Sequence, residues 1–208
     1  MGDSYSTFEG YIPEGYPYYY NPEDGNTDVR NVNETWWHKI ISETKSDLIL
    51  NNSWSGSTIG YTGYYGSDCS QTSSFIFRFR ELLKNNFFID NDINTIFVFG
   101  GTNDDWCGAP LGELKNSDWQ ESDLYNVLPA ITYFMYTLRK NMPNATIIWI
   151  INTELKSEIT ECMINSAELY GITAITLKDI DKTHGHPTIK GMNQIKNQIL
   201  NKIYHSEY

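Results

Sequence analysis

Two short runs of strand-forming residues constrain this chain most. Ile93–Phe99 (INTIFVF) and Ala145–Ile151 (ATIIWII) are rich in apolar and β-branched side chains, the pattern of strands buried on both faces. Asp47–Asn51 (DLILN) and Thr173–Leu177 (TAITL) are shorter runs of the same kind. Between them lie segments with apolar residues at helical spacing. The first covers 28–45, with Val32, Trp36, Trp37, Ile40 and Ile41; the next is marked by Phe75, Phe79, Leu82 and Leu83. Leu124–Asn141 follows, stopped before Pro143, then 156–170, and last Pro187–Tyr204, with proline where a missing N–H costs little. Strands alternating with helices predict an α/β fold: a parallel sheet covered by helices on both faces, with ligands bound at the carboxyl ends of its strands. No repeat, linker or composition break divides the 208 residues, so a single domain over 1–208 is expected.

Composition removes several classes of partner. A net charge of −11 argues against nucleic acid, which needs clustered Lys and Arg. No apolar run approaches the roughly 20 residues of a membrane span, and no signal peptide is visible. Cys69, Cys107 and Cys162 fit neither a zinc site nor a disulfide framework and read as unpaired thiols; a Cys69–Cys107 bridge is the alternative. Aromatic residues gather in segments that read as loops, notably Tyr16, Tyr18, Tyr19, Tyr20, Tyr64, Tyr65 and Trp106.

The chemistry sits in loops just after the strands. Asn51–Thr58 is a Gly/Ser loop whose small residues let backbone N–H groups approach a ligand. Gly100–Asp104 turns tightly on two glycines and presents the Asn103 amide, which suits a developing oxyanion. Asp179–Pro187 offers His186 just before a helix, placed to act as a base. Its two His and two Asp in eight residues also permit a metal site, but no second histidine cluster exists to complete one; His38 and His205 lie far along the chain. No metal and no cofactor are therefore expected.

With Gly2-Asp3-Ser4 these segments resemble, in order, the four blocks of the SGNH (GDSL-type) hydrolases. Gly2-Asp3-Ser4-Tyr5-Ser6 matches the first, Asn51-x-Ser53-x-Ser55-Gly56 the second, Gly101-Thr102-Asn103-Asp104 the third, and His186-Pro187 with Gly191 the fourth. The stretches 35–37 (TWW) and 100–113 (GGTNDDWCGAPLGE) further resemble a subgroup common in gut Bacteroidetes. The resemblance implies a three-layer α/β/α, flavodoxin-like doubly wound sheet. It implies Ser4 as nucleophile, His186 as base, and an oxyanion hole made by the N–H groups of Ser4 and Gly56 with the Asn103 amide. The family's acid lies three residues before the histidine, which here is Thr183. Asp181 is the first substitute, Asp179 the second, and a Ser–His pair oriented by a backbone carbonyl the third.

The implied function is hydrolysis of small acyl esters through an acyl-enzyme, with O-acetyl groups on carbohydrates as a candidate substrate, because Tyr18, Trp54 and Trp106 offer rings to rim the site. Packing of the long loops is the competing role for those rings. Acyl transfer to sugars and a non-catalytic glycan-binding domain are the alternatives; the partner is a small-molecule or glycan ester, and oligomeric state is left open. In this family a buried strand runs into Gly-Asp-Ser, whereas here only Met1 precedes it. The expectation is a chain cut at its first strand, lacking about six residues upstream of Gly2. A missing leader then says nothing against a secreted or periplasmic location.

Overall fold

The computed structural model describes residues 1–23 and 26–205, the last by its backbone only. Its elements in chain order are α1 (Trp36–Thr44), α2 (Phe75–Lys84), α3 (Phe87–Asp90), β1 (Thr95–Phe99), α4 (Thr102–Trp106) and α5 (Val127–Asn141). Then come β2 (Thr146–Ile151), α6 (Ser157–Leu169), β3 (Thr173–Thr176), β4 (Lys182–Thr183), β5 (His186–Pro187) and α7 (Ile189–His205). No helix among the described residues is long and apolar enough to cross a membrane. Cys69, Cys107 and Cys162 are free thiols.

β1, β2 and β3 form a parallel sheet in that order. Strand alternation splits its side chains between two cores. Ile147, Trp149 and Ile151 pack with Phe79, Phe134 and Met163 on the face covered by α2, α5 and α6. Ile148, Ile150 and Ile175 pack with Trp36, Ile40 and Met192 on the face covered by α1 and α7. These are the three expected layers. Two single parallel bridges extend the sheet past β1, from Phe99 to Gly2 and from Gly2 to Ser53. With them the spatial order is Ser53, Gly2, β1, β2, β3: the second, first, third, fourth and fifth positions of a flavodoxin-like sheet. The connections reverse between Gly2 and β1, and the crevice at their carboxyl ends is where such folds bind ligands.

The strand expected at 47–51 does not form. Its neighbour in the sheet would be the first strand position, which among the described residues is held by Met1–Asp3. Leu48 and Ile49 are consequently exposed. Other boundaries moved for local reasons. The helix expected over 28–45 begins at Trp36, after a 3-10 turn at Val32–Glu34. The helix expected from 124 begins at Val127, after a 3-10 turn at Glu121–Tyr125. The last helix starts at Ile189 rather than Pro187, because Pro187 pairs with Lys182 in a small hairpin.

One side chain ties the first two loops to the helical layer. Arg78 lies on α2 between Phe75 and Phe79 and is 2% exposed. Its guanidinium donates to the Asn52 carbonyl at 2.6 Å, to Asn52 Oδ1 at 2.7 Å, to Ser57 Oγ at 3.1 Å and to the Gly2 carbonyl at 3.3 Å. Removing it strands several buried acceptors at once. Arg78→Met should lower stability by about 3 kcal/mol or more in urea melts. Arg78→Lys should recover only part of that, since one ammonium cannot span the fork.

Candidate active site

Ser4 opens a single 3-10 turn, Ser4–Ser6, directly after Gly2 and Asp3. Asp3 caps the turn, its Oδ1 accepting from the Tyr5 N–H at 3.0 Å. Thr7 closes it, donating from its N–H and its hydroxyl to the Ser4 carbonyl at 3.3 and 2.9 Å. Glycine is required at position 2: a Cβ there would lie 2.5 Å from Ser6 Cβ and 2.8 Å from Ser53 Oγ. Ser4 is thus held at the sheet's carboxyl edge, 4% exposed, with its own N–H making no hydrogen bond to any described residue.

Ser4 Oγ lies 2.9 Å from His186 Nε2. The other ring nitrogen, Nδ1, is 3.1 Å from the His184 carbonyl. A carbonyl oxygen only accepts, so Nδ1 carries the proton and Nε2 presents its lone pair to the serine hydroxyl. This geometry comes from a tight hairpin. Thr183 pairs with His186, and the two residues between them, His184 and Gly185, both have positive φ, 49° and 77°. That is the backbone of a type I′ turn. Tyr5 secures the turn from below, its hydroxyl donating to the Gly185 carbonyl at 2.5 Å. Burial holds the His186 pKa below the ordinary 6.5, opposed by the His184 hydrogen bond and helped slightly by the Lys182 charge. The imidazole is therefore neutral at pH 7 and able to accept a proton.

Neither acidic candidate reaches that ring. The Asp181 carboxylate accepts from the Thr188 hydroxyl and pairs with Lys190 at 3.6 Å. Its backbone N–H donates to Gln194 Oε1 at 2.8 Å, so Asp181 serves the start of α7. Asp179 is exposed on a left-handed turn, with φ 52°. Thr183, the family's acid position, sits on β4 across the hairpin from His186 and is itself exposed. The group within hydrogen-bond reach of Nδ1 is a main-chain carbonyl, that of His184. Gly191 of the fourth block has a packing reason: a Cβ would come within 2.1 Å of the Asp181 carbonyl oxygen.

The third block locks onto the segment just after the second, Ser57–Gly60. Asp104 is buried and accepts from the Ile59 and Gly60 N–H groups at 2.9 and 3.2 Å. Asn103 donates from Nδ2 to the Ser57 carbonyl at 3.0 Å and accepts at Oδ1 from the Tyr64 hydroxyl at 2.8 Å. These two bonds fix which way the amide faces and leave one N–H to spare. Gly56 has φ 82°, and its N–H, like that of Ser4, makes no hydrogen bond to any described residue.

Aromatic rings enclose the histidine. Tyr19 stacks on it face to face, with centroids 3.5 Å apart and planes at 7°. Tyr5 lies at 5.3 Å and Trp106 at 5.8 Å. Trp106 is also packed on Gly185 and remains 46% exposed. The other two rim candidates have different ring and hydroxyl partners. Trp54 packs on Tyr16 at 4.3 Å, and the Tyr18 hydroxyl donates to Glu9. The roles of Tyr19, Tyr64 and the His184–Gly185 turn were not legible as such, although the loop tyrosines stood out and an x-Gly pair is a hairpin signal. Among the described residues no group of three or more His, Cys, Asp or Glu is arranged to hold a metal ion.

The chain was also compared with known proteins. The model of the GDSL-like lipase/acylhydrolase family matches residues 1–203. A structure from Bacteroides ovatus described as a GDSL-like lipase is 42% identical, with a TM-score of 0.89 over 100% of this chain and 96% of that one. A second, from Bacteroides uniformis and described likewise, is 41% identical, with a TM-score of 0.90 over 98% and 93%. A family-two carbohydrate esterase from Clostridium thermocellum, in complex with cellohexaose, shares the fold at 15% identity, with a TM-score of 0.62 over 99% of this chain and 62% of that one. No curated protein matches the sequence. By its motifs, its sheet order and its match along nearly the whole length, the chain belongs to the GDSL-like lipase/acylhydrolase family.

Proposed function

We propose that the protein is a serine ester hydrolase working through an acyl-enzyme on Ser4. The carrying observation is the 2.9 Å contact between Ser4 Oγ and the unprotonated Nε2 of His186. In the first step Oγ attacks the ester carbonyl carbon while its proton passes to Nε2. The carbonyl oxygen takes on negative charge, met by the spare N–H groups of Ser4, Gly56 and Asn103. The tetrahedral adduct collapses, and His186 returns the proton to the departing alcohol. Water then attacks the acyl-serine with the same histidine as base, releasing the acid and restoring Ser4. The His184 carbonyl, rather than Asp181 or Asp179, steadies the imidazole in this reading, and Tyr19 holds it from one face.

The substrate class follows from the surroundings. The exposed Trp106, beside the catalytic pair, offers a ring to a sugar, and the Tyr16–Trp54 pair extends that rim. The shared fold with a carbohydrate esterase that binds cellohexaose supports the same direction. We infer a short acyl group, such as acetyl, on a carbohydrate hydroxyl.

Hydrolysis of p-nitrophenyl acetate should fall to background in Ser4→Ala; equal rates in the two proteins would favour a glycan-binding domain without catalysis. Asn103→Ala should lower kcat by about 10²–10³ while KM changes little. Asp181→Asn should leave kcat/KM nearly unchanged, and the acid limb of its pH profile, like the wild type's, should lie below the 6.5 of an ordinary histidine. A limb that shifts with Asp181 would assign that carboxylate to the base after all.

A further inference from the structure

His186 has a ring face as well as two nitrogens, and Tyr19 covers that face. The two rings are nearly parallel, at 7°, with centroids only 3.5 Å apart. Tyr5, Trp106 and Tyr20 meet the same imidazole at steeper angles, 59°, 74° and 76°. A centroid separation so short leaves little offset between the stacked rings. Two neutral rings disfavour that sandwich, because their quadrupoles repel. A cation over the face of a phenol ring favours it.

The stack is built in from both sides. The Tyr19 N–H donates to Thr7 Oγ1 at 2.8 Å, and that hydroxyl donates onward to the Ser4 carbonyl at 2.9 Å. The Tyr20 hydroxyl donates to the Pro187 carbonyl at 3.0 Å, while the Tyr20 carbonyl accepts from the Glu9 N–H at 2.9 Å. The loop is thus pinned at Tyr19 to the Ser4 turn and at Tyr20 to the residue after His186.

A proton arriving at Nε2 leaves hydrogen on both ring nitrogens, so the imidazole becomes a cation. The surrounding groups do little for that charge. The His184 carbonyl meets Nδ1 as a neutral dipole. Lys182, held by Thr153 and Glu154 at 2.6 and 3.3 Å, opposes the new charge. Burial pushes the Tyr5 and Tyr20 phenols up, so both stay neutral. Asp3, beside Ser4, turns Oδ1 to the Tyr5 N–H, and burial raises its pKa to about 7. What the cation faces is the π cloud of Tyr19, negative at its centre.

Resting on the esterase reading, we propose that Tyr19 acts through His186 as a positioning residue whose ring face stabilises the imidazolium formed during acyl transfer, the task of the carboxylate in an acid-bearing triad.

The test keeps the shape of the ring and strips its face of electron density. Tyr19→Phe and versions carrying mono-, tri- and pentafluorophenylalanine at position 19 are compared with wild type. Two quantities are read: kcat on p-nitrophenyl acetate, and the His186 pKa followed by NMR of its ring C–H in the free protein. Tyr19→Phe should hold kcat within about twofold, since the hydroxyl is not the agent. Along the fluorinated series kcat should fall stepwise, by about tenfold at the pentafluoro member, with little change in KM. The His186 pKa should fall in parallel, by about one pH unit, because burial then acts on the cation unopposed. Asp3 is the same in every member, so its titration cancels between them. A flat pKa series, a flat kcat series in an active enzyme, or a loss of about tenfold already in Tyr19→Phe would each overturn the proposal. A pKa that falls along the series in a protein without any esterase rate would uphold the ring contact and sink the esterase reading instead.

Discussion

The architecture of the site depends on one buried cation. Arg78 projects from α2 into the carboxyl edge of the sheet and gathers oxygen atoms from Gly2, Asn52 and Ser57. These belong to the first two motif blocks, segments fifty residues apart that have almost no regular ladder between them. Asp104 performs the matching task on the other side, clamping Ile59 and Gly60 to the turn after β1. Loops that would otherwise be loosely held become a rigid rim because charged groups, desolvated by the cores, find their hydrogen-bond partners in the loop backbone. The position of Ser4 is a by-product of this clamp.

The same economy appears at the histidine. Many serine hydrolases steady the base with a carboxylate. At His186 a two-residue turn supplies an oxygen to Nδ1, and the Lys182 charge disfavours an imidazolium. Stacking on Tyr19 and burial under Trp106 compensate by limiting the ring's freedom rather than by adding charge. Asp181 and Asp179 looked suitable because they lie close in sequence; in the structure the Asp181 carboxylate is engaged by Thr188 and Lys190, and Asp179 lies on an exposed left-handed turn.

Much of this was legible beforehand. The two runs at 93–99 and 145–151 read directly as buried strands, because their environment is uniform on both faces. The glycines of the motifs were legible by type, and the structure supplies the reason for each: Gly2 against Ser6 and Ser53, Gly191 against the Asp181 carbonyl. What escaped was whatever depended on contacts distant in sequence. Arg78 sits in an amphipathic helix where one arginine looks like any surface residue, yet its place on the Phe75–Phe79 face was a visible anomaly. The segment 47–51 has strand composition but no strand, since β structure needs a neighbour and local propensity cannot provide one.

The His184 carbonyl has one more consequence. A main-chain atom has no codon of its own, so no single substitution deletes the oxygen that meets His186 Nδ1. Selection at this point acts on backbone shape: positions 184 and 185 need only tolerate positive φ, which glycine and asparagine do as readily as the histidine found here. The partner of Nδ1 is thus set by the handedness of a turn. Relatives built the same way should be recognised by a short turn before the histidine, not by an aspartate at a fixed distance.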